Sequence, residues 1–196
     1  MLKDGATVIG RAPSCDIVVN VSSLSRAHAR VTVCEGMKPF EIAQVLNQFF
    51  TRMADVIFEF EGTLDKFIGD AVLAVFGAPF DQPDHADRAV EAAVAMQRAL
   101  ADMNRGSERP LRMRVAINSG HAMTGDIGSP RRREFTVLGD VVNTASRIES
   151  SVAQPDQIVI TRGTLERLTR NVNTRSMGNV NLRGRQAEIE VFEVLT

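Results

Sequence analysis

The sequence is poor in cysteine, in long apolar runs and in excess charge of either sign, and each shortage removes a class of protein. Its two cysteines, Cys15 and Cys34, have neither metal-ligand spacing nor the density of a secreted disulfide scaffold. They read as free thiols in a reducing cytoplasm. The longest apolar stretch, Ala71 to Phe80, is broken by Gly77 and Pro79 and is far too short to span a bilayer. The opening residues MLKDGATVIG lack the apolar core of a signal peptide. With a formal net charge of -1 there is no basic field to hold a nucleic acid, and no block of like charge marks a binding tail. No internal repeat is visible. The expectation is a cytoplasmic protein with no nucleic-acid partner and no membrane segment in this chain.

What remains is ordinary globular composition, 44% hydrophobic and 24% charged over 196 residues, enough for one main core and a small extension. From Thr7 to Val33 the text reads as short strands and turns. Pro39 then stands where a first helical turn begins, and Ile42, Val45, Leu46, Phe49, Met53 and Val56 recur at helical spacing up to Phe60. Gly62 to Phe67 and Ala71 to Phe76 read as a hairpin turning at Ile68-Gly69-Asp70. HADRAVEAAVAMQRALADM reads as a second helix with Asp84 as its cap, and Arg112 to Ser119 as a strand. Beyond a glycine-punctuated stretch around a basic loop, VVNTASRIES restores helical spacing. The tail predicts a strand at Gln157 to Ile160, a short helix at Leu165 to Leu168, and paired strands near Val180 to Leu182 and Ile189 to Val194. Helix, hairpin, helix and strand make an α+β sandwich with helices on one face of a mainly antiparallel sheet.

Two segments carry candidate chemistry. EGTLDKFIGDAVLAVFGAP puts Asp70 at the tip of a hairpin whose strands are otherwise apolar. Hard cations such as Mg²⁺ take such oxygen ligands together with substrate phosphates, although Gly-Asp is also common turn chemistry. REFTVLGDVVNTASRIES places Asn143 and Arg147 four apart, on one helix face. There an amide could orient a ribose and a guanidinium could stabilise developing phosphate charge. A solvated helix edge would use the same residue types.

Together the phrases DKFIGDAVLAVFG, INSGHAMTGDIG and FTVLGDVVNTASRIE resemble, in order and approximate spacing, the catalytic domain of class III adenylate and guanylate cyclases, from Cys34 to Thr196. The resemblance implies a ferredoxin-like α/β sandwich that converts ATP to cyclic AMP and pyrophosphate with two Mg²⁺ or Mn²⁺ ions, at sites shared by the subunits of a homodimer. It implies that Asp70 is one of two metal-binding aspartates, Asn143 the ribose-orienting amide and Arg147 the transition-state arginine. Lys66 and Thr136 match the positions that read the base. A lysine donor and an accepting hydroxyl suit adenine, whereas guanylate-selective members typically carry glutamate at the lysine position. Arg183 stands where a lysine usually contacts the triphosphate.

The chain departs from the family in two places. Members carry F-x-D-I-x-G-F-T before the long helix, which supplies the other metal aspartate. Here VTV runs directly into CEGMKPFE, with Glu35 a weak substitute, so the expectation is a core short of a central strand and a feeble enzyme. The rival is a non-catalytic regulatory module, either a nucleotide-binding pseudocyclase or a phosphopeptide-docking fragment. Residues 1–33 hold VIGRAPSCDIVVNVSSLSRAHARV, which resembles part of a forkhead-associated domain through Gly10-Arg11, Ser14, Ser25 and His28. That likeness implies contacts of Arg11 and Ser25 with a phosphothreonine peptide, and a division of the chain into 1–33 and 34–196.

Overall fold

A computed structural model describes residues 9–10, 17–18, 24–32, 39–184 and 187–196. In chain order the elements are β1 (Ile9–Gly10), β2 (Ile17–Val18), β3 (Leu24–Thr32), α1 (Pro39–Glu59), β4 (Thr63–Ile68), β5 (Ala71–Phe76) and α2 (His85–Met103). Then come β6 (Arg112–Gly120), β7 (Met123–Ser129), β8 (Arg132–Leu138), α3 (Asp140–Ser151), β9 (Ile158–Thr161), α4 (Arg162–Leu165), β10 (Thr174–Val180) and β11 (Ile189–Val194). Seven strands form one sheet in the order β10-β11-β9-β6-β3-β5-β4; β7 and β8 make a separate antiparallel ribbon, and β1 pairs with β2. Only β6 and β9 run parallel in the main sheet. The run β3-α1-β4-β5-α2-β6, ordered in space as β6-β3-β5-β4, is the ferredoxin-like βαββαβ unit. The α+β class expected from the sequence is the one observed.

The helices pack where their apolar residues direct them. Phe49, Met53 and Ile57 of α1, each at most 1% exposed, meet the alanine-rich face of α2 and one face of the sheet through Ala27, Ala29, Val72, Phe76, Val115 and Ile117. Burying each such large side chain contributes about 1.5–3 kcal/mol. The small side chains Ala89, Ala92 and Ala93 let α2 lie close against this core. The opposite parity, Ala116, Val159 and Val191, faces Ile148 of α3. Helices therefore cover both faces, because α3 buries the side that the sequence reading left open.

Other expectations need correction. Asp84 stands at the cap position of α2, but its carboxylate makes no cap hydrogen bond and instead accepts from Arg88 Nε at 2.8 Å. The short helix falls at Arg162–Leu165, capped by the Thr161 hydroxyl, rather than at 165–168. Most consequential, the core does not lack a central strand. β3 fills that place, with Ala27 opposite Ala74 of β5 and Ile117 of β6. A boundary at residues 33/34 thus separates this strand from the sheet it completes. Ser25 and His28 lie on β3, paired through their backbones with β5 and β6 in the middle of the sheet. Arg11, Cys15, Cys34 and Glu35 lie outside the described residues.

Candidate nucleotide site

The β4–β5 hairpin turns through Gly69 and Asp70, with Ile68 opposite Ala71. Gly69 adopts φ +61°, as the first central residue of a tight hairpin turn can when it is glycine. The turn lifts Asp70 to the sheet end, and stacking of Phe67 on Phe50, ring centroids 4.3 Å apart, ties the hairpin to α1. The neighbour of Asp70 is Arg30. Register puts Arg30 of β3 opposite Ala71 and Arg114, and its Nε lies 3.5 Å from Asp70 Oδ1 and 3.7 Å from Glu149 Oε1. Glu149, fully buried on α3, also receives Arg114 Nε at 2.7 Å. Two carboxylates and two guanidiniums therefore alternate across one end of the sheet.

The donor set among the described residues does not fit a pair of divalent cations. Among the described residues no three His, Cys, Asp or Glu side chains gather where a metal could be held. Asp70 faces a guanidinium where a second carboxylate would be needed, and a fixed positive charge repels a cation.

A second cluster joins β4 to the β7–β8 ribbon. Lys66 Nζ lies 3.4 Å from Glu134 Oε2, and the Thr136 hydroxyl donates to Asp65 Oδ2 at 3.0 Å. The Arg132 guanidinium and then Lys66 hold the Glu134 carboxyl below its usual range. Thr136 is buried, whereas Lys66 is half-buried. A third group forms at α3. Asn143 is exposed, and a methyl group at Gly184 would sit 3.6 Å from both terminal nitrogens of Arg147, so the turn that carries Arg183 runs beside that guanidinium.

Lys66 and Thr136 are thus brought to one β4–β8 cluster, and Arg147 and Arg183 to one neighbourhood. A cavity of about 550 Å³ lined by Asn118, His121, Asp140, Arg162 and Glu190, among others, contains none of the six residues predicted for the nucleotide and its metal. The sequence reading missed Asp65, Glu134, Arg30 and Glu149. Asp65 precedes Lys66, and Glu134 lies two residues before Thr136 on a strand, which would have been a usable signal. Nothing in the sequence pairs Arg30 with Asp70.

Residues 18–195 match the family model described as the adenylate and guanylate cyclase catalytic domain. The chain belongs to this family. Adenylate cyclase 1 of Rhizobium meliloti is 31% identical over 169 residues, covering 84% of this chain and 25% of that protein. The adenylate cyclase of Anabaena cylindrica is 32% identical over 177 residues, 83% of this chain and 34% of that one. The cyclase domain therefore spans about a quarter to a third of the length of these relatives. Among solved structures, the adenylyl cyclase CyaB of P. aeruginosa superposes with a TM-score of 0.83 at 26% identity, covering 89% of this chain and 94% of that one. The guanylyl cyclase Cya2 also gives 0.83, at 36% identity over 88% of this chain and 91% of that one. Relatives of both nucleotide specificities are present. No helix among the described residues is long and apolar enough to cross a membrane.

Proposed function

We propose that this domain binds ATP and cyclises it slowly to 3′,5′-cyclic AMP and pyrophosphate, at sites completed by a second copy of the chain. In that reaction the ribose 3′-oxygen bonds to the α-phosphorus, the bond to the pyrophosphate oxygen breaks, and the hydroxyl proton passes to solvent. The reading rests on the approach of Lys66 and Thr136 to one another where β4 meets β8, through their hydrogen bonds to Glu134 and Asp65. An ammonium donor suits adenine N1, an acceptor oxygen suits the adenine amino group, and guanine presents the opposite pattern at both atoms. Asn143 would orient the ribose, Arg147 would stabilise charge developing on the α-phosphate, and Arg183 would hold the triphosphate.

The two-metal clamp implied by the family does not fit the described residues, so no step is assigned to it. Any Mg²⁺ or Mn²⁺ at Asp70 would take most of its oxygens from the nucleotide. A deficit of about a hundredfold to ten-thousandfold against a complete site corresponds to several kcal/mol of lost transition-state stabilisation. The position of Arg30 favours a second reading, a pseudocyclase that binds nucleotide without turning it over. A phosphopeptide-binding role has less support, because the strand carrying Ser25 is the middle of the cyclase sheet.

The deciding experiment measures cyclic AMP and cyclic GMP formed in Mn²⁺ by the unmodified chain and by Lys66→Glu with Thr136→Cys. ATP preference in the first and a shift toward GTP in the second are expected. Equal turnover of both nucleotides by the unmodified chain would refute the base-reading assignment, and binding without any product would favour the pseudocyclase.

A further inference from the structure

We propose that Asp65 is a positioning residue for base selection, fixing the Thr136 hydroxyl as an acceptor toward the bound purine. The proposal rests on the ATP reading above and deepens it.

The first observation is a β-bulge. Pairing of β4 with β5 passes from Leu64 opposite Ala74 directly to Lys66 opposite Leu73, so Asp65 is the extra residue. In a regular strand, successive side chains point to opposite faces, and Asp65 and Lys66 would diverge. A bulge re-aims one of them. Here both reach β8, Lys66 toward Glu134 and Asp65 to Thr136. Glu134 and Thr136 are two residues apart on that strand and share a face.

The second observation is the direction of the hydrogen bond. An ionised carboxylate only accepts, so the single proton of Thr136 is committed to Asp65 Oδ2, 3.0 Å away. The lone pairs of the hydroxyl are what remain for a ligand. They accept from the adenine amino group, but have no proton for guanine O6. Without Asp65 the hydroxyl would rotate and serve either base. The third observation is that Asp65 Oδ1 is buried without a hydrogen-bond partner. Leaving a carboxylate oxygen so is costly, and each such group in a folded protein calls for an explanation, which a role in holding Thr136 supplies.

The test is displacement of a fluorescent ATP analogue by ATP and by GTP, from the unmodified chain and from Asp65→Asn. The side-chain amide can donate to Thr136 and release the hydroxyl proton for guanine. The preference for ATP should then fall about 5- to 10-fold, the worth of one hydrogen bond, with the melting temperature showing that the variant is folded. In a Thr136→Val background the same substitution should change the ratio less than about twofold, since Asp65 acts through that hydroxyl. If Asp65→Asn does not fold, Asp65→Ser, which can also donate, carries the same expectation. An ATP preference unchanged by either Asp65 variant overturns this inference alone, as does an equal shift in the Thr136→Val background. An unmodified chain with no preference overturns the ATP reading and this inference with it.

Discussion

Replacing Arg30 is the sharpest probe of the end of the site that carries Asp70. Its Nε stands 3.5 Å from Asp70 Oδ1, with side-chain exposures of 35% and 38%, so the pair is partly screened. A divalent cation on Asp70, about 4 Å from this guanidinium, would be repelled by about 2 kcal/mol even at a water-like dielectric, roughly 30-fold in affinity. Arg30→Gln should therefore tighten Mn²⁺ binding by at least about tenfold, and Arg30→Asp by more, since it also adds a carboxylate. Folding should survive. Buried Glu149 keeps Arg114 at 2.7 Å, so the loss of Arg30 should cost about 1 kcal/mol rather than the 3–5 expected when a buried charge is left alone. Mn²⁺ affinity is read by electron paramagnetic resonance titration, and cyclic AMP by chromatography at equal folded concentration. Unchanged Mn²⁺ affinity in both variants would refute the argument that Arg30 excludes the cation. Tight binding with no gain in product would place the catalytic defect elsewhere.

Three further outcomes are expected. In the Arg30→Asp background, Asp70→Ala and Asn143→Ala should each be inactive alone and recover activity when mixed, because one site of the mixed dimer carries neither lesion; mixed dimers without activity would argue against shared sites. His85 is 4% exposed, and burial followed by the charge of Arg167 lowers its pKa from 6.5. Its contribution to stability is therefore present above about pH 6.5 and lost as pH falls below it, since the unfolded chain binds the proton first; His85→Gln should flatten the fall in melting temperature between pH 7.5 and 5.5, and an unaltered slope would discount the histidine. A methyl group on Gly62 would meet the Phe76 ring at 2.7 Å and Ile57 at 2.9 Å, so Gly62→Ala should cost about 1–3 kcal/mol in urea unfolding.

Much of this protein was written locally. The 3.6-residue spacing of α1 and the alanine run of α2 predict both helices, and the latter is observed over His85–Met103 as read. The Gly-Asp turn predicts the hairpin, and motif order alone identifies the family and its candidate residues. Local patterning of this kind is set by backbone geometry and burial of one face, which a sequence displays directly. What it does not display is strand neighbourhood. The tertiary structure alone decides that Leu24–Thr32 completes the sheet between β5 and β6, because register depends on pairings far apart in the chain. Through that register Arg30 comes to Asp70. The bulge at Asp65 has the same origin, since an extra residue exists only relative to the partner strand. Sequence thus determined which side chains the site has to work with, and long-range pairing determined which charges they face.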